Sequence, residues 1–102
     1  MIPIEIKEVQ GGLQMIYHFS NGYGASVIQH EGSYGGLSSK WELAVITNFS
    51  VENIDENVQF DITYDTPITE DVLGNLTWSE VIHQLNKINR LQSIQNLSLI
   101  HI

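Results

Sequence analysis

The chain contains no cysteine, which excludes disulfides, thiolate zinc sites and cysteine nucleophiles. Cationic side chains are nearly as scarce. Lys and Arg total 4 against 12 Asp and Glu, a formal net charge of −8 over 102 residues. No Lys or Arg lies between Lys40 and Lys87, an interval that carries Glu42, Glu52, Asp55, Glu56, Asp61, Asp65, Glu70, Asp71 and Glu80. Binding polymeric nucleic acid or anionic lipid recruits clustered cations, so this acidic field argues against both. No apolar run reaches the roughly 18 residues of a membrane span, and "MIPIEIKEVQ" lacks the basic and long apolar regions of a signal peptide. The expectation is a cytoplasmic protein. Walker, dinucleotide and GxSxG fingerprints are also missing, and no Ser-His-acid set can be nominated, so the reading is a non-enzyme without cofactor.

What is present is alternation. Ile2, Ile4 and Ile6 share one face against Glu5 and Lys7, which predicts a half-buried N-terminal strand. Two further strands, 13–19 and 23–30, flank "SNGY". Its Asn21-Gly22 pair predicts a two-residue type I′ hairpin in which opposed residues sum to 43. That register collects Leu13, Met15, Tyr17, Phe19 and Ile28 on one face and Ile16, Ala25 and Val27 on the other. Trp41–Asn48 and Val58–Tyr64 read as strands, the latter with Val58, Phe60, Ile62 and Tyr64 inward. In "YDTPITEDVLGN", Pro67 and Gly74 predict a turn and one short helical turn ending at the glycine.

The C-terminal third reads as helix. Thr77 is an N-cap, Glu80 completes a capping box, and Leu76 can staple onto Val81. Trp78, Val81, Ile82, Leu85, Ile88 and Leu91 form one stripe. The expected fold class is α+β: an antiparallel β-meander of four to five strands with one C-terminal helix packed on one face, in a single domain over residues 1–96. One helix covers only part of such a sheet, and apolar positions such as Ile16, Val27 and Ile46 remain on the second face, so a homo-oligomer through that face or a sheet edge is expected.

Histidine metal ligation is not expected, because the hairpin register sets His18 and His30 on opposite faces while His83 is helical. Asp61 and Asp65 fall about 13 Å apart along one strand, too far to act as a pair. The most suggestive segment is "HEGSYGGLSSKW", a connection longer than a hairpin needs. Gly35 and Gly36 can present backbone N–H groups to an anion, Tyr34 and Trp41 can stack on a base, and Lys40 supplies a cation. A second loop offers Asp65 to ribose hydroxyls and Thr66 and Thr69 to phosphate, across an oligomer interface.

Four stretches, "FSNGYGASV", "SYGG", "WELAV" and "YDTPITEDVLGNLT", resemble small uncharacterised proteins of tailed bacteriophages over about half the chain. The terminal "LSLIHI", residues 97–102, resembles a translated sequencing adapter, which implies a non-native tail on a sequence of metagenomic origin. The resemblance implies a phage protein, and by analogy a counter-defence factor. The leading expectation is a non-enzymatic sponge that sequesters a small nucleotide-derived immune signal. The alternatives are an acidic inhibitor docking on a host defence protein through Asp61, Asp65, Glu70 and Asp71, and a minor phage structural or assembly component.

Overall fold

The structure, a computed structural model, describes residues 1–9, 12–29, 40–51, 58–68 and 71–93. It is a mostly antiparallel sheet with one helix packed against it. The strands are β1 (Glu5–Val9), β2 (Gly12–His18), β3 (Gly24–Gln29), β4 (Trp41–Val51), β5 (Val58–Ile62) and β6 (Leu73–Leu76), and the helix is α1 (Trp78–Asn89). Strands β1 to β5 lie side by side in chain order, and β6 pairs with β4 on the same edge as β5. Ile62 lies opposite Ile46, whereas Leu73 lies opposite Leu43 and Leu76 opposite Trp41. Strands β5 and β6 are thus two pieces of one edge position, interrupted by an excursion, and the sheet is five positions wide.

The hairpin between β2 and β3 departs from the type I′ expectation. Opposed residues sum to 42: Met15 faces Val27, Tyr17 faces Ala25 and His18 faces Gly24. The connection holds three residues. Gly22 N–H donates to the Phe19 carbonyl at 3.1 Å, Phe19 N–H donates to the Tyr23 carbonyl at 2.8 Å, and Gly22 alone takes a positive φ, 91°. This is a turn followed by a left-handed glycine, the three-residue alternative to the two-residue hairpin. One residue of slip moves a whole strand's side chains to the other face. Ala25 and Val27 therefore join Met15 and Tyr17 beneath the helix, while Ile28 joins Ile16 on the far side.

The core forms on the helix side. Met15, Tyr17, Ala25, Val27, Leu43 and Val45 meet Leu76, Val81, Leu85 and Ile88. Thr77 caps the helix as expected: its hydroxyl accepts from Glu80 N–H at 3.2 Å, and the Glu80 carboxylate accepts from Thr77 N–H at 3.0 Å. Val81, Leu85 and Ile88 are buried, but Trp78 and Ile82 stay exposed, so the seated stripe is narrower than the predicted one. The helix packs mainly on β3, β4 and β6. It leaves β1 uncovered, and Ile4 and Ile6 are 50% and 59% exposed where burial was expected.

Three further expectations differ from the structure. The helical turn predicted to end at Gly74 is strand β6. A side chain at Gly74 would meet open space, and Asn75 takes φ 59°, a left-handed kink where the β4–β6 register shifts. Pairing with the vacant edge of β4 outweighs the local helical preference. The strand predicted to end at Asn48 runs on to Val51 through a bulge, with Asn48 at φ 57° and its amide donating to Asp61 at 3.0 Å. The extra residue turns Phe49 toward the far face, where its ring stacks on His18 with centroids 4.0 Å apart. The predicted inward row of β5 faces away from the helix core, with Phe60 half-buried and Ile62 and Tyr64 exposed.

Candidate functional site

The end of the sheet where β4 begins and β6 runs into α1 brings the chain's two tryptophans together. Trp41 lies opposite Leu76, two residues before Trp78 opens the helix. Their rings sit 5.1 Å apart, tilted at 52°. Trp41 is half-buried against the core, whereas Trp78 is 42% exposed, so the pair joins an anchored ring to a wet one. Aromatic faces of this kind stack on planar ligands. Lys40 stands beside this end and adds a favourable charge interaction to Glu80. The Glu80 carboxyl is held below its ordinary pKa, first by the backbone N–H of Thr77, then by the Thr77 side chain, and less by Lys40.

Trp78 was read in the sequence only as part of the helix stripe. Its position directly after the N-cap was the available signal, since the first residue of a helix projects past the covered surface. Of the residues proposed for ligand contact, Lys40 and Trp41 sit at this end. Asp65 and Thr66 follow β5, just after Thr63 N–H bonds the Val45 carbonyl. Thr66 is buried and its hydroxyl accepts from Ile68 N–H at 3.3 Å, so it shapes the excursion between β5 and β6. Tyr34, Gly35, Gly36, Thr69, Glu70, His30 and the 97–102 tail lie outside the described residues.

The far face of the sheet offers a second feature. A hollow of about 270 Å³ is lined by Ile28, Glu42, Ala44, Phe60, Ile62 and Val72, with a Gln14 amide to Ser26 hydroxyl bond of 2.9 Å among its walls. The three-residue hairpin register places Ile28 rather than Val27 on this side. The acidic residues of the alternative reading, Asp61, Asp65 and Asp71, are all exposed along the β5–β6 edge. Asp71 accepts from Val72 N–H at 2.7 Å.

Among the described residues, no three His, Asp or Glu side chains group to hold a metal ion, and no helix is long and apolar enough to cross a membrane. No protein family, curated protein or solved structure matches the chain.

Proposed function

We propose that this chain is a non-enzymatic binding protein, a phage counter-defence sponge that self-associates and sequesters a small nucleotide-derived immune signal. The observation that carries the reading is the Trp41–Trp78 pair, with an exposed indole beside Lys40 at the base of the glycine-rich connection. A planar base stacks on Trp78, and Lys40 meets a phosphate. So few cations favour a ligand with few phosphates, held chiefly by stacking and by hydrogen bonds to its sugar. The phage assignment rests on the sequence resemblance and on analogy.

The test is a thermal-shift panel of cyclic dinucleotides and ADP-ribose derivatives. A true ligand at a hundred times its Kd stabilises by about 2.7 kcal/mol. The gain should vanish in Trp78→Ala. A panel in which no compound raises the melting temperature overturns the reading.

The exposed Asp61, Asp65 and Asp71 support a second reading, an acidic inhibitor docking on a host defence protein. It predicts partner binding that weakens with salt and is lost on charge reversal at Asp61 and Asp65, with indifference to nucleotides.

A further inference from the structure

We propose that β1 is the self-association surface, joining two copies of the chain antiparallel about a twofold axis through Ile6. It rests on the sponge reading only for the expectation of self-association, and its argument is drawn from the strand alone.

The hydrogen-bond phase of the sheet decides which groups of β1 are free. Phe19 N–H bonds the Tyr23 carbonyl, so the odd-numbered residues of β2 exchange their bonds with β3. The even-numbered ones turn to β1, and the Ile16 carbonyl accepts from Ile4 N–H at 2.7 Å. Ile16, Gln14 and Gly12 lie opposite Glu5, Lys7 and Val9, which therefore direct their backbone groups to β2. Ile6 and Glu8 direct theirs away from the sheet. Strand β1 has β2 as its one neighbour in the described sheet, so this row of groups is an open edge able to accept another strand.

Charge then selects the register. A twofold pairing in the correct phase can centre on any residue of β1, but centring on Val9 leaves no other residue of the strand paired. Centring on Glu5, Lys7 or Glu8 sets a like-charged residue opposite its own copy. Centring on Ile6 sets Glu5 opposite the second copy's Lys7, twice over by symmetry. These flanking pairs are the ones without mutual backbone bonds, where opposed side chains approach most closely. Within one chain, Lys7 Nζ already lies 3.5 Å from Glu5, so the assembled strip alternates four charges. On the helix side the two Ile6 side chains, each 59% exposed in the single chain, cover one another.

Analytical ultracentrifugation of the full chain without nucleotide tests the proposal. The wild type should dimerise. Glu5→Lys and Lys7→Glu each replace both attractive pairs with repulsive ones and should raise the dimer dissociation constant at least about tenfold. An equimolar mixture of the two variants should recover the dimer, since every opposed pair is again of opposite sign. Ile6→Pro removes an outward N–H without touching the β2 ladder, so it should give a monomer with unchanged circular dichroism. A monomeric wild type at about 100 μM, single charge variants as dimeric as wild type, or a mixture that stays monomeric would each overturn the proposal. The tryptophan pair occupies the opposite side of the sheet, on β4 and α1. A dimer that ignores nucleotides therefore rejects nucleotide capture alone, and a monomer that binds one rejects self-association while leaving nucleotide capture standing.

Discussion

The side-chain amide of Asn21 donates to the Ile88 carbonyl at 2.8 Å and to the Leu91 carbonyl at 3.1 Å, fastening the β2–β3 turn to the C-terminal end of the helix. The same side chain accepts from Tyr23 N–H at 3.0 Å, and the Thr47 hydroxyl donates to the Gly22 carbonyl at 3.3 Å. The turn is therefore held from the helix and from β4. Asn21→Ala removes both bonds, leaving the Ile88 carbonyl only the Leu91 N–H at 3.1 Å, and should cost about 1–3 kcal/mol in urea denaturation. Asn21→Asp keeps the acceptor for Tyr23 but sets a negative charge at the negative end of the helix dipole. It should be at least as damaging, and its deficit should shrink in acid.

Gly24 is held between backbone and ring. A Cβ there would overlap the Tyr17 carbonyl oxygen and the Phe49 ring. Gly24→Ala should destabilise by about 1–3 kcal/mol, the range for forced overpacking. Adding Phe49→Ala should recover only part of the loss, because the overlap with backbone remains. Full recovery in the double variant would place the whole conflict at the ring.

Asn48 occupies the left-handed region at the β4 bulge, with φ 57°. A β-branched residue is poorly tolerated there, so Asn48→Val should cost about 1–2 kcal/mol, while Asn48→Gly should lose little beyond the bond to Asp61. The His18–Phe49 stack is the local reporter. Chemical shifts of the His18 ring should move in the valine variant and hold in the glycine variant.

The capping box adds a pH dependence. The folded-state pKa of Glu80 lies below its unfolded value, so its contribution is complete above the ordinary glutamate pKa, declines as pH falls through the lowered native value, and is absent below it. Glu80→Gln should abolish that part of the acid-limb slope in stability-versus-pH curves. Thr77→Ala should cost about 1 kcal/mol at neutral pH and flatten the same limb.

Trp78 should separate binding from folding. Its ring is substantially exposed, so Trp78→Ala should keep the melting temperature within a few degrees while eliminating any nucleotide-induced shift. Trp41→Ala removes a ring packed on the core and should destabilise by about 3 kcal/mol before any ligand is added. Thermal melts with and without ligand distinguish the two.

Elements with local causes were legible in the sequence. The strand alternation of β2, β3 and β4, the Thr77–Glu80 cap and the buried positions Val81, Leu85 and Ile88 follow from side-chain periodicity and from hydrogen bonds spanning three residues. Half of the tryptophan pair was legible as well, since Trp41 beside Lys40 stands out as an aromatic next to a rare cation. Its partner was not, because nothing local brings positions 41 and 78 together.

The amino-acid sequence by itself determined the class of fold, the start of the helix and the acidic character of the surface, because propensity, capping and charge act over a few residues. The tertiary structure alone decided the rest. Asn-Gly is compatible with either a two-residue or a three-residue turn, and the distant carbonyls of Ile88 and Leu91, which bind the Asn21 amide, accompany the register that sends Val27 to the core and Ile28 to the far face. The vacant edge of β4 likewise drew residues 73–76 into a strand, since unpaired backbone groups there outweigh a weak local preference for a helical turn.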